Sequence, residues 1–315
     1  MSIDSRSREG MRRVLGGRFV MGSTREDYPE EGPPQTVSVD EFWIDETPVT
    51  IASFGRFVEE TNYVTLAEHA IDPAEYPQLD PSALLPGSVV FTPTPGPVNL
   101  SNPFQWWRYV PGASWCQPEG PGSTIEGRED HPVTHVAWDD VSTYASWAGK
   151  SLPTEAQWEM AARGGGHDGQ LYAWGDSLMP SGQPMANYWL GEFPWRSDKP
   201  SDLQRTTPVR SYPANGFGLF DMIGNVWEWT SDYYANRDEA ASHMCCGVSN
   251  PRIDTPDGSY DDFAAGGAVL PRRVIKGGSH LCAESYCQRY RPAARQAQEI
   301  ESAMSHIGFR CIIAE

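Results

Sequence analysis

The run Lys276-Gly277-Gly278-Ser279-His280-Leu281-Cys282-Ala283-Glu284-Ser285-Tyr286-Cys287-Gln288-Arg289-Tyr290-Arg291 carries two thiols five residues apart. On a strand, an odd offset turns two side chains to opposite faces. On a helix, five residues take them off a common stripe. If both sulfurs serve one centre, the backbone must bend between them. Gly277-Gly278-Ser279 supplies a lead-in that can lie close to another group. Two thiolates with few other soft donors make a low-coordinate site, and soft thiolates select Cu(I). Zinc wants about four ligands, and two cysteines do not close such a site. The alternatives are a disulfide, two unrelated buried thiols, or a redox cycle through a mixed disulfide.

A second cluster is built from oxygen. Asp221-Met222-Ile223-Gly224-Asn225-Val226-Trp227-Glu228 offers two carboxylates and several turn carbonyls within eight residues. Hard oxygen donors of this kind suit Ca2+. Turn capping by Asp and Asn is the competing reading. His131 and His135 have helical spacing, but Pro132 breaks a helix through them, so they read as packing residues. Cys311 lies in an apolar strand-like run and reads as core. Cys116 and Cys245-Cys246 read as incidental.

The elements that must position these groups are short. Gly16–Ser23 reads as a strand leaving a glycine turn, and Thr36–Asp45 as a second strand. Ile51, Phe54, Phe57 and Val58 share one helical stripe over 51–61. A second helix starts at Asp139-Asp140. A third starts at Thr154, where Gln157 completes a capping box, and ends at Gly164-Gly165-Gly166. Residues 71–103 hold eight prolines and read as a surface excursion without regular structure. The end, Ile307–Ile313, reads as a strand.

Composition narrows the function classes. With 39% hydrophobic residues and 12 tryptophans in 315 residues, the chain can bury a core. A net charge of −18 argues against nucleic acid or an anionic membrane as partner, because phosphate binding needs clustered Lys and Arg. Six cysteines are too few for a disulfide scaffold. The polar start, Met1–Arg13, lacks a signal-peptide core, and no apolar run reaches spanning length. A cytoplasmic protein with no membrane contact is expected.

Five stretches, taken in order, resemble one family. They are Gly17-Arg18-Phe19-Val20-Met21-Gly22-Ser23, His131-Pro132-Val133-Thr134-His135-Val136-Ala137-Trp138, Leu152-Pro153-Thr154-Glu155-Ala156-Gln157-Trp158-Glu159, Gly224-Asn225-Val226-Trp227-Glu228-Trp229 and Gly308-Phe309-Arg310-Cys311. The chain is similar through them to the formylglycine-generating enzyme and sulfatase-modifying factor superfamily. Gly277, Gly278, Ser279, Cys282, Cys287, Arg289, Tyr290 and Arg291 match the pattern that marks its catalytic branch. Trp115, Pro118-Glu119-Gly120-Pro121 and Ser123-Thr124-Ile125 extend that match.

The resemblance implies an α+β, irregular C-type-lectin-like fold with small twisted sheets, few helices and much loop. Residues 1–13 would be a flexible lead and 14–315 a single catalytic domain, acting as a monomer. The implied activity is oxidation of the cysteine in an unfolded sulfatase Cys-x-Pro-x-Arg segment to Cα-formylglycine, with molecular oxygen as oxidant. Cys282 and Cys287 would hold Cu(I). Ser279 would sit near the oxygen or the substrate sulfur, and Tyr286 and Trp227 would shape a dry pocket. One Ca2+ is implied at Asp221, Gly224, Val226 and Glu228. A second is implied at Asn187, Tyr188, Asp202 and Leu203, although the position aligned with the carboxylate could be Ser201. The superfamily also contains non-catalytic lectin-like binding modules and iron-dependent sulfoxide synthases. A binding module has no need of the cysteine pair. The synthase reading wants a three-histidine iron site and an added helical domain, which the sequence does not show.

Overall fold

The computed structural model describes residues 8–70, 73–74, 84–237, 247–260 and 269–314. Its helices among these are Ile51–Thr61, Trp138–Trp147 and Glu155–Arg163. The first buries Ile51, Phe54 and Phe57, starts where Thr50 accepts a hydrogen bond from Ser53 N, and ends at Asn62 in the left-handed region. The third starts with the expected Thr154–Gln157 capping box and ends at Gly164 with φ 60°. The remaining regular structure is a set of two- to four-stranded sheets, an α+β arrangement dominated by loops. No described helix is long and apolar enough to cross a membrane.

Four sequence expectations are corrected. Residues 1–7 lie outside the described residues, and the end of the expected 1–13 lead is a strand, Met11–Val14, paired antiparallel with Phe42–Asp45. Its ends, Met11 and Val14, are buried. Thr36–Asp45 is two strands: Gln35–Val39 pairs with Gly17–Met21, and Phe42–Asp45 joins a different sheet. The buried residues are Val37 and Val39, then Phe42 and Ile44. That step from odd to even positions breaks the period of two, so one continuous strand could not bury both pairs.

The 71–103 excursion contains regular structure. Gly87–Phe91 is a strand paired with Trp107–Pro111. It forms because the interval between Pro86 and Pro93 is free of proline. Residues 71–72 and 75–83 of that excursion, and Cys245-Cys246, lie outside the described residues. Ile307–Ile313 likewise divides into Ile307–Gly308 and Ile312–Ala314.

The largest sheet runs Arg295–Glu299, Arg272–Lys276, Trp227–Tyr233, Ile307–Gly308 in spatial order. Arg272–Lys276 leads directly into Gly277, so this sheet aims the dithiol run. The core has two clusters. The larger contains Phe54, Trp158, Trp227, Trp229, Phe309, Cys311 and Cys282, with Cys287 packed against it. The smaller contains Trp106, Trp189, Phe193, Leu281 and Ala283. Cys282 therefore faces one cluster while its neighbours on both sides face the other.

Candidate active site

The bend anticipated between the cysteines is present. Gly277 and Gly278 take φ of +90° and +72°. A Cβ on Gly278 would lie 2.6 Å from Arg289 O, so glycine is required by contact as well as by conformation. Gly224 N donates to Gly277 O at 2.9 Å and His280 N to Asn225 O at 2.9 Å, tying the turn to the strand entry. Cys282 N donates to Ser279 O, and Cys287 N to Ala283 O, which curls the chain back on itself. The sulfurs of Cys282 and Cys287 lie 3.2 Å apart. That is well beyond the roughly 2.05 Å of a disulfide, so the pair is a hydrogen-bonded dithiol.

The two thiols differ. Cys282 is buried, and burial pushes its thiol well above the ordinary range. Cys287 is only half-buried. The hydrogen bond from Cys282 holds its thiol low against the cost of burial, and the Arg289 cation assists. The pair is thus poised to carry one negative charge. Iodoacetamide at neutral pH is expected to label Cys287 ahead of Cys282 and Cys311. Peptide mapping reads this, and equal labelling of Cys282 would refute the assignment.

A clamp that sequence reasoning missed holds the far side of the run. Arg289 donates to Glu30 Oε1 at 3.2 and 2.6 Å. Arg291 forms a two-pronged pair with Glu31, both side chains almost wholly buried. Tyr28 lies between them: both guanidinium carbons sit within 5 Å of its ring centre, and its hydroxyl accepts from Gln288 N. The arginines stood inside the quoted motif. Their acidic partners are about 260 residues away in sequence, so no local spacing could have paired them.

The other expected site residues separate. Ser279 is fully buried, and its Oγ accepts from Leu281 N at 3.3 Å, so it shapes the turn. Trp227 is buried in the larger cluster with Cys282. Tyr286 is exposed; it stacks on Phe193 and meets Trp106 edge-on, against the smaller cluster. Trp227 and Tyr286 therefore do not form one pocket wall. They belong to different cores, and both cysteines pack with the core of Trp227. Phe91, on the strand from the proline-rich excursion, packs against Trp189 and Phe193 and extends the second wall. His135 is fully buried and bonded to Ser88, a packing residue as expected.

The two oxygen-rich sites also diverge. Asp221 is buried with φ 53°, and burial raises its carboxyl to about 6. Glu228 Oε2 accepts from Trp158 and Arg310, whereas Oε1 accepts from Arg310 alone. Each carboxylate oxygen has two lone pairs, so Oε1 keeps one acceptor position. Two carboxylates with a spare acceptor position on one are the donor type that suits a hard cation.

The described members of the second set do not suit one. Asn187 is fully buried, and its Oδ1 accepts from the Lys199 ammonium, which burial pushes down to about 8. Asn187 Nδ2 donates to Arg205 O and Asn225 Oδ1. Tyr188 is buried and stacked on Tyr290. Leu203 sits in a short 3-10 turn, Ser201–Leu203, and the Asp202 side chain lies outside the described residues. Among the described residues, no cluster of three or more His, Cys, Asp or Glu side chains is placed to hold a metal.

A family profile described as Sulfatase-modifying factor enzyme 1-like domain matches residues 2–315. The chain belongs to this family. It is 50% identical to the formylglycine-generating enzyme of Mycobacterium tuberculosis, over 94% of this chain and 95% of that one. It is 39% identical to the bovine formylglycine-generating enzyme, over 95% of this chain and 73% of that one. A mouse relative named inactive C-alpha-formylglycine-generating enzyme 2 is 36% identical, over 94% of this chain and 83% of that one. Among solved structures, PvdO from Pseudomonas aeruginosa superposes with a TM-score of 0.57 at 19% identity, covering 96% of this chain and 93% of that one. That likeness shows the fold alone.

Proposed function

We propose that this chain oxidises a peptidyl cysteine of a sulfatase to Cα-formylglycine. Family membership alone does not decide this, because a relative named inactive also matches along most of its length. The observation that carries the reading is the free Cys282–Cys287 pair, 3.2 Å apart, with one sulfur buried and the other half-exposed beside Arg289. A binding module of the same fold has no use for such a pair.

The substrate would be an unfolded segment carrying Cys-x-Pro-x-Arg, and the oxidant molecular oxygen. Taking the thiol-bearing carbon to an aldehyde removes two electrons and releases the sulfur as hydrogen sulfide. Reducing oxygen to water takes four electrons, so two more come from an external thiol reductant. The donor set fits Cu(I): two soft sulfurs converge with no third soft ligand among the described residues. Bound by Cys282 and Cys287, copper would supply the electron route from the substrate thiol to oxygen. The chain's own groups do the rest. The Gly277–Ser279 turn fixes the sulfur positions, Arg289 stabilises negative charge on Cys287, and the aromatic cluster around Tyr286 and Phe193 excludes water. A structural Ca2+ would be held by Asp221 and Glu228 with the carbonyls of Gly224 and Val226. Reduced thiols of this kind suit the expected cytoplasmic setting.

The deciding experiment incubates a Cys-x-Pro-x-Arg peptide with copper-loaded protein, oxygen and a thiol reductant. Conversion of thiol to aldehyde lowers the peptide mass by about 18 Da in the mass spectrum. An unchanged mass at verified copper occupancy would favour a non-catalytic binding module.

A further inference from the structure

The second oxygen-rich site already contains a cation, and that cation is covalent. We infer that the Lys199 ammonium occupies the position of a second metal ion on Asn187, so this chain holds its 187–207 loop without calcium there. Asn187 Oδ1 is the side-chain oxygen expected to face the metal, and it accepts from Lys199 Nζ. The same asparagine is otherwise saturated: its Nδ2 donates to Arg205 O at 2.9 Å, Thr207 Oγ1 at 3.4 Å and Asn225 Oδ1 at 3.2 Å. It is fully buried, so its one free oxygen needs a partner from the protein or an ion.

Geometry admits one cation at that oxygen. A calcium ion requires oxygen contacts near 2.4 Å, and a second positive charge within a few ångströms would be repelled strongly in a buried setting. Among the described side chains the donors around Lys199 are also wrong for calcium: Asn187 offers a neutral amide, and the Asp202 side chain lies outside the described residues. Ser201, the residue that could stand where a carboxylate is needed, brings no charge. A tethered ammonium needs only one or two neutral acceptors, which is what the site provides.

The consequence reaches the dithiol. Asn187 O accepts from Asn225 N, and Asn225 O accepts from His280 N, two residues before Cys282. Lys199 thus anchors the loop that supports the catalytic turn. At the first site, by contrast, two carboxylates, Asp221 and Glu228, face the single guanidinium of Arg310, so negative charge remains for a cation and the two sites differ in kind.

Two measurements test this. In the first, calcium per chain is counted after equilibrium dialysis for the wild type and for the double variant Lys199→Ala/Ser201→Asp. The variant is expected to hold one calcium more than the wild type, and its melting temperature to fall further than that of the wild type when chelator is added. A folded variant with no extra calcium, or a wild type holding two, overturns the inference. The second needs no variant. Acylation of Lys199 in the wild type is followed by peptide mapping in excess calcium and in chelator. An unchanged rate is expected. Faster acylation in calcium would mean that the ion displaces the ammonium, and the inference fails.

Discussion

Cys282→Ser and Cys287→Ser are each expected to lower formylglycine formation by at least about 10³-fold, with the double variant little worse than either single one. The non-additivity follows from geometry. The sulfurs are 3.2 Å apart, and the buried one is partnered by the other, so removing either dismantles a single unit. Serine is nearly isosteric, and the turn is set by Gly277, Gly278 and backbone hydrogen bonds, so circular dichroism should show the fold retained. Copper stoichiometry measured alongside should fall in both variants. Activity within tenfold of wild type in either would refute the proposed chemistry, because a hydroxyl is too hard a donor to replace a thiolate for Cu(I).

Glu31→Gln is expected to cost about 3–5 kcal/mol of folding stability in urea melts. Glu31 and Arg291 form two hydrogen bonds at 2.7 and 2.5 Å with almost no solvent access. Glutamine keeps the shape but leaves the guanidinium charge uncompensated. The paired variant Glu31→Leu/Arg291→Met should recover much of the loss, because it removes both buried charges. A single-variant cost below about 1 kcal/mol, the usual worth of an exposed pair, would show that the clamp is solvated in solution. The site should respond as well. Arg291 also donates to Gln288 O beside Cys287, so loosening it displaces a sulfur that must meet a substrate.

The Thr154–Gln157 capping box and the helix over 51–61 could be read from local pattern, because caps and helical stripes are set by residues three or four apart. The dithiol, its bend and its glycines were equally local. The strand inside the proline-rich excursion was hidden because proline density was averaged over a window wider than the gap between Pro86 and Pro93. The split of Thr36–Asp45 was visible in the phase of its apolar residues, though not in their number. The Glu30–Arg289 and Glu31–Arg291 pairs had no sequence signal, since their spacing reflects topology alone.

The sequence on its own specified the chemical parts: two soft donors at an offset no regular element can align, a glycine turn to bend them together, and an acidic turn able to hold a hard cation. These follow from covalent geometry and donor type, which are properties of residues and short spacings. Only the tertiary structure decided how each part is used. Cys287 differs from Cys282 because the fold buries one more deeply and the distant Glu30 holds Arg289 beside the other. Trp227 and Tyr286 serve different cores because the chain crosses the seam between them. Lys199 meets Asn187 because a loop returns there. Burial and long-range charge pairing set these outcomes, and both depend on where distant segments meet in space.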